Sequence, residues 1–448
     1  MVSNGSLDGL GPHSPATLPC GRTLNNRMVK AAMYEHLADL GGGPPNPLHL
    51  SLYRKWGMGG WGMVITGNVQ ISKQHLTLGR DLCLHPLERT NQEHFGRLAD
   101  AIHASSSDNR PLAIMQLSHS GRQSPRFIGG RSLLSKPVAP SSQRVGLNSK
   151  EGLLARTIYG FMFQKPHGLF PEEISCIIED FVHAAKTAYD CGFDGIQLHA
   201  SHGYLLSQFL SRKVNDREDE YRDGIRIVSK IVSGIRASLP ASFAVGVKIN
   251  AGDYILGGLG EKEANAHIET LAADGVDFIE VSGGDYENPE FMASTSARQV
   301  FFSAFSKIAM RAVASLPDKR PLIMLTGGIR TPEQMNRALN DADADLLGLG
   351  RPSVLCPDLP IRLRDGDRAP VILEPQLKSP SWFPKLIGAG VGTAWYTVQM
   401  KRIATGENID LTLSGLEAVW SMWIPFSGLY QCISLLLVLS LAIAYLSL

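Results

Sequence analysis

Eight short apolar runs, each followed by a longer connecting stretch, constrain this chain more than any other feature. The runs fall at 28–33, 63–68, 112–117, 194–199, 244–249, 278–282, 322–326 and 346–350. Helical patterning is clearest at 88–104 and 172–191, and continues at 223–239, 261–273, 303–316 and 332–339. Pro171 and Pro332 stand where the first turn of a helix accepts proline, because no N–H is needed there. Runs of strand length alternating with stretches of helix length predict β/α units around a parallel sheet. Eight units is the count of a closed TIM (β/α)8 barrel, an α/β fold. A doubly wound open sheet is the competing arrangement. No G-x-G-x-x-G opens a helix after any run, which argues against a dinucleotide-binding domain of that kind.

With 448 residues the chain can bury a large core. Lys and Arg number 43 against 42 Asp and Glu, a formal charge of +1 that offers nothing to nucleic acid. Six cysteines without a C-x-x-C pair suit a reducing compartment and argue against a disulfide framework or a zinc module. No apolar core of a secretory signal is visible near the start. The expected organisation is a flexible N-terminus (1–17), a barrel (18–365), a C-terminal helical extension (366–423) and a transmembrane helix (424–448). After Glu417 no Asp, Glu, Lys or Arg follows, and the run 434–448 has no polar face for packing as a surface helix. Trp420, Trp423 and Tyr430 stand where an aromatic belt would lie. This predicts a single-pass membrane protein with its catalytic domain in the cytosol; a C-terminal helix packed on the domain or on a partner is the alternative. Nothing in the sequence sets the oligomeric state.

Active sites of barrels lie at the C-terminal ends of the strands. Ala31, Met33 and Tyr34 follow the first run, Asn68 ends the second, and Gln116, His199 and Lys248 lie at the ends of the third, fourth and fifth. Gly327 and Gly328 follow the seventh, and Gly350 and Arg351 the eighth. Glycine at the last two strand ends lets the main chain approach an anion and arginine pairs with it, so this is the expected phosphate end. His199, His202 and Tyr204 emerge together after the fourth run. Two imidazoles and a phenol can polarise a carbonyl and move a proton. Satisfied structural histidines are the plainer alternative, and no third ligand at a usual spacing supports a metal. The long passage 118–171, rich in Gly, Pro and Ser, is expected as an enlarged loop on the same face.

The chain resembles the Old Yellow Enzyme family of FMN-dependent oxidoreductases. The resemblance rests on six ordered segments: Leu24-Asn25-Asn26-Arg27 through Met33, Met115-Gln116-Leu117 through Gln123, His199 through Ser211, Val247-Lys248-Ile249, Thr326-Gly327-Gly328-Ile329 and Leu349-Gly350-Arg351-Pro352. It implies a TIM barrel that uses NADH or NADPH to reduce bound FMN and then reduces the C=C bond of an enone. Gln116 would bond the pyrimidine edge of the flavin, Lys248 would stand beside N1 and O2, and Gly328, Gly350 and Arg351 would hold the phosphate. Ala31, Met33, Tyr34 and Asn68 complete the implied flavin site. His199 and His202 would bind the substrate carbonyl, hydride would reach the β-carbon, and Tyr204 would protonate the α-carbon from the opposite face. Tyr34 departs from the threonine or cysteine usual there, and its bulk would crowd the flavin edge. Ala32 replaces the more common proline, and the loop after Tyr221 is shorter than in relatives. The hydrophobic tail points to a lipophilic substrate, as in secondary metabolism. A redox-neutral isomerase or epimerase on the same barrel, and a scaffold without flavin, are the alternative functions.

Overall fold

The computed structural model describes residues 10–423, apart from 85–88, 105–109, 146–156, 158–159, 253–258, 283–294, 315, 317–319, 367–374, 376 and 378–384. Eight parallel strands form the barrel: β1 (Met28–Lys30), β2 (Met63–Gln70), β3 (Leu112–Ser118), β4 (Gly195–Ala200), β5 (Ala244–Asn250), β6 (Phe278–Ser282), β7 (Leu322–Thr326) and β8 (Leu346–Leu349). Each pairs with the next in chain order, and β8 returns to β1 with Leu347 opposite Met28. This is the TIM barrel expected from the sequence, with strands within a few residues of the apolar runs. β1 is the largest departure: it ends at Lys30 rather than 33, because the chain leaves the ladder there to build the mouth.

Parallel neighbours need crossovers, and helices supply them. They are α1 (Pro47–Gly57), α2 (Arg89–Ile102), α3 (Pro171–Asp190), α4 (Leu205–Leu210), α5 (Ile225–Ser238), α6 (Glu261–Ala273), α7 (Thr295–Ala314), α8 (Pro332–Asn340), α9 (Arg351–Leu355) and α10 (Leu359–Arg364). Their starts follow from local chemistry. Asn46 accepts the Leu48 and His49 N–H groups ahead of α1, and Glu173 reaches back to the Phe170 N–H ahead of α3. Thr331 and Gln334 form a capping box on α8. The long passage after β3 carries a turn of 3-10 helix at Gly121–Gln123 and a short pairing of Val138–Ala139 with His167–Gly168.

Along the barrel axis the inward side chains change character. Near the N-terminal end Val29, Ile65, Ile114, Ala244, Phe278, Met324 and Leu346 belong to one apolar cluster. Gly246 lies opposite Phe278 in register, and a Cβ there would come within 2.1 Å of the ring. One alternation further along, the same face carries Gln116, Gln197, Lys248 and Glu280. A hairpin of Ala16–Thr17 and Thr23–Leu24 closes the apolar end, with Ala16, Leu18 and Leu24 joining the cluster. Its Gly- and Pro-rich surroundings gave no strand signal. Beyond the barrel lie α11 (Lys385–Ala404) and α12 (Gly415–Trp423), within the stretch 366–423 where helical material is expected. The Trp395 indole donates to Leu413 O between them, and Ser51 Oγ of α1 donates to Ala404 O. The transmembrane helix expected over 424–448 lies outside the described residues. Among those described, no helix is long and apolar enough to cross a membrane.

Candidate active site

Four inward side chains on four successive strands are joined by hydrogen bonds. Gln116 Nε2 of β3 donates to Gln197 Oε1 of β4 at 2.7 Å, and Gln197 Nε2 donates to Glu280 Oε2 of β6 at 2.8 Å. Between β4 and β6, Lys248 of β5 pairs with Glu280 Oε1 at 2.9 Å. All four are buried, and the Glu280 carboxylate meets both the Lys248 ammonium and the Gln197 amide. Sequence reasoning found Gln116 and Lys248 but missed Gln197 and Glu280. Both are polar residues at inward positions of apolar runs, which is the signal that could have found them.

One alternation further out, His199 Nε2 lies 3.2 Å from His202 Nδ1, and His202 Nε2 lies 3.0 Å from Ser282 Oγ. His202 adopts a left-handed φ of 58°, a conformation that needs support outside glycine. Support comes from Asn250 Oδ1, which accepts its N–H, and from Gln123 Nε2, which donates to its carbonyl. Burial, followed by the charges of His202 and Lys248, holds the His199 imidazole well below its usual pKa. Burial and Lys248 do the same to His202. Both rings are therefore neutral near pH 7. The Tyr204 ring meets His199 edge-on with centroids 4.6 Å apart. Gln208 anchors this stretch to the β3 loop by donating to Gly203 O and Ser120 O.

The β1 end forms another wall. Tyr34 Oη lies 3.1 Å from His36 Nδ1 and 3.3 Å from Asp81 Oδ2, so the phenol expected against a flavin edge is engaged from behind. Burial first, then the nearby Asp81 and Tyr204, pushes its pKa well above 10. Beneath it, Glu35 accepts hydrogen bonds from Tyr53 and from the Gly67 N–H. Gly67 must stay small, since a Cβ would meet Glu35 Oε2 at 2.1 Å. Asn68 pairs in register with Gln116 just past a β2 irregularity. The Ala31 N–H bonds Leu349 O, tying the first strand end to the eighth.

At the opposite end, Gly327 and Gly328 take φ of 123° and 77° after β7, a conformation that favours glycine. A Cβ on Gly350 would lie 3.5 Å from Met33 Sδ, so these two strand ends touch. Arg351 opens α9, with its guanidinium 5.7 Å from the Tyr396 ring centre. All the sequence-derived site residues thus gather at the C-terminal end of the barrel. The shortened segment after Tyr221 is held by Asp219, which accepts the Tyr221 N–H and pairs with Arg217.

For the flavin implied by the resemblance, the donor set fits. A buried amide and ammonium lie at mid-mouth, and an arginine with left-handed glycines stands at β7 and β8. Buried Ser118 Oγ, Thr326 Oγ1 and His199 Nδ1 lack a hydrogen-bond partner among the described residues, as atoms awaiting a polar ligand do.

The comparisons agree. A family model described as NADH:flavin oxidoreductase / NADH oxidase matches residues 14–369. The chain is 36% identical over 383 residues to the NADH-dependent flavin oxidoreductase iliE of Neonectria sp. (strain DH2), covering 80% of this chain and 48% of that relative. It is 34% identical over 395 residues to the NADH-dependent flavin oxidoreductase iliE of Hypocrea jecorina (strain QM6a), covering 84% and 94%. The chain therefore spans about half of the first relative and nearly all of the second. The solved old yellow enzyme homologue from Zymomonas mobilis shares the fold, with a TM-score of 0.63 at 22% identity over 80% of this chain and 93% of that one. The chain belongs to the NADH:flavin oxidoreductase / NADH oxidase family, that of Old Yellow Enzyme, and is an oxidoreductase that takes FMN as cofactor and NAD(P)H as reductant.

Proposed function

We propose that the chain reduces the C=C bond of an α,β-unsaturated carbonyl compound. The observation that carries this reading is the grouping of two neutral imidazoles, a phenol and a buried cation at one mouth. Gln116 and Lys248 would hold the ring system of FMN, Ala31, Met33, Tyr34 and Asn68 would border it, and Gly328, Gly350 and Arg351 would bind its phosphate. When bound, that cofactor supplies hydride chemistry and is recharged by NAD(P)H.

The protein's part is to hold the carbonyl and to deliver a proton. With His199 Nδ1 carrying hydrogen, His199 Nε2 accepts from His202 Nδ1–H, and His202 Nε2 accepts from the Ser282 hydroxyl. Only this tautomer leaves His199 with an unused N–H for a carbonyl oxygen. A neutral imidazole stabilises oxygen charge without surrendering its proton. Tyr204, 5% exposed, then gives its O–H proton to the α-carbon in a site from which water is largely excluded. The charge-free stretch 424–448 supports a lipophilic substrate, in keeping with secondary metabolism, and a membrane-tethered enzyme facing the cytosol.

One observation favours a second, redox-neutral reading. Tyr34 adds a phenol close to Tyr204, backed by Asp81. A pair of phenols around a carbonyl held by His199 suits isomerisation or epimerisation. Anaerobic visible spectra separate the readings. Under the first, NAD(P)H bleaches the flavin band of the purified protein and an enone restores it. Turnover of a carbonyl compound without NAD(P)H consumption selects the second, and a colourless protein unable to take up FMN overturns both.

A further inference from the structure

The family model stops at residue 369, and the helices α11 and α12 begin only at Lys385 and Gly415. We propose that these two helices are a wall of the active site. Tyr396 positions Arg351 at the phosphate end, while Thr397 and Trp423 fix Tyr34 at the substrate end. The inference rests on the FMN-barrel reading and extends it to side chains outside the shared barrel.

Three contacts carry it. First, the Arg351 guanidinium lies 5.7 Å from the centre of the Tyr396 ring, within the range over which a cation is drawn to an aromatic ring. Tyr396 is buried and is itself held edge-on by Trp395 at 4.9 Å, so it is a fixed surface. An arginine resting on it gives up fewer conformations when it takes an anion. Second, the neighbouring Thr397 Oγ1 donates to Tyr34 O at 3.4 Å. One turn of α11 therefore reaches both the arginine that follows β8 and the backbone that follows β1. Third, Trp423 meets His36 edge-on, with centroids 5.1 Å apart. His36 in turn holds Tyr34 Oη at 3.1 Å. A contact line runs from the end of α12 through His36 to a phenol in the pocket wall.

The two ends of this wall predict different losses. Tyr396 acts on the phosphate, so its removal changes FMN retention. Trp423 acts through Tyr34, which borders both the flavin edge and the pocket, so its removal changes what enters the pocket more than it changes FMN retention.

The test uses the full-length chain, four single variants and one double variant. Tyr396→Leu should bind FMN about tenfold more weakly in a fluorescence titration, while Tyr396→Phe, which keeps the ring, stays within about twofold. Arg351→Leu should weaken FMN by itself, and adding Tyr396→Leu to it should produce no further loss. Wild-type FMN affinity in Tyr396→Leu, or an equal loss in both backgrounds, overturns the phosphate-end assignment. Trp423 is 39% exposed, so Trp423→Ala leaves the core packing in place and tests the other end even if Tyr396→Leu fails to fold. It should raise the apparent Kd for NADH in anaerobic flavin reduction at least threefold, with a smaller change in FMN affinity than Tyr396→Leu produces. An unaltered apparent Kd for NADH overturns the substrate-end assignment. Failure of the wild-type chain to bind FMN would instead sink the function reading on which the inference rests.

Discussion

Inside the barrel Lys248 faces Glu280 at 2.9 Å, and Gln197 donates to the other carboxylate oxygen. The mouth therefore presents a cation partly offset by an anion. Replacing Glu280 with glutamine removes the offset while preserving shape. Glu280→Gln should favour reduced, more negative FMN over oxidised FMN and raise the potential of the bound cofactor. A tenfold change in that preference corresponds to about 30 mV for a two-electron couple. Spectroelectrochemical titration of the two proteins checks this, and an unchanged or lowered potential refutes it. Lys248 was legible in the sequence because a lysine ending an apolar run stands out. Glu280 shows in the sequence only as a polar residue inside an apolar run; its pairing with Lys248, 32 residues away, is set by the β5–β6 register, which the sequence does not state. The left-handed His202 was equally invisible, since no residue type announces a conformation imposed by Asn250 and Gln123.

Three even-numbered strands share one device at the opposite end of the barrel. Asp194, Asp277 and Asp345 stand immediately before β4, β6 and β8. Their carboxylates accept the N–H of Ala113, Val245 and Ile323, on the preceding strands, at 2.8, 2.7 and 2.9 Å. Each also pairs with an arginine: Arg22, Arg236 and Arg320 respectively. The latch fixes strand register by binding a backbone donor and a charge with one side chain. The apolar runs were readable as strands, whereas the latch was not, because its arginines come from a hairpin loop, a helix and an inter-element segment. Asp194 gives the pH test. Burial works against its ionisation, but hydrogen bonds from His103 and the Ala113 N–H, with the charges of His103 and Arg22, hold its pKa below the ordinary carboxylate value. A depressed folded pKa adds stability above the unfolded pKa, and that stability is lost as pH falls through the folded value. Asp194→Asn should cost about 1–3 kcal/mol at pH 7. Urea unfolding at pH 7 and at about pH 3.5 should show the gap between wild type and variant shrinking in acid; a constant gap would exclude the latch as its source.

At the scale of the whole chain, one end of the barrel is sealed by apolar packing and the other carries the polar mouth, and the extension reaches that mouth. The division was legible as a pattern, since Ile114 to Gln116 and Phe278 to Glu280 each step from apolar to polar across one strand alternation. The role of the extension was not, because Tyr396 and Trp423 look like any aromatic residue packing a helix. α12 ends at Trp423 against His36, and after Glu417 the sequence holds no charged side chain. As a helix, the stretch 424–448 would reach roughly 37 Å, more than the ~30 Å of a bilayer's hydrocarbon core. An uncharged segment of that length leaves water at a gain that increases with each apolar side chain, and salt does not weaken that gain as it weakens ionic adhesion. The full-length protein should therefore sediment with membranes after cell lysis, stay there in high salt, and be released by detergent with its flavin colour. Recovery of the yellow protein in the high-speed supernatant without detergent would remove the membrane tether, and with it the argument for a lipophilic substrate, while leaving the barrel chemistry untouched.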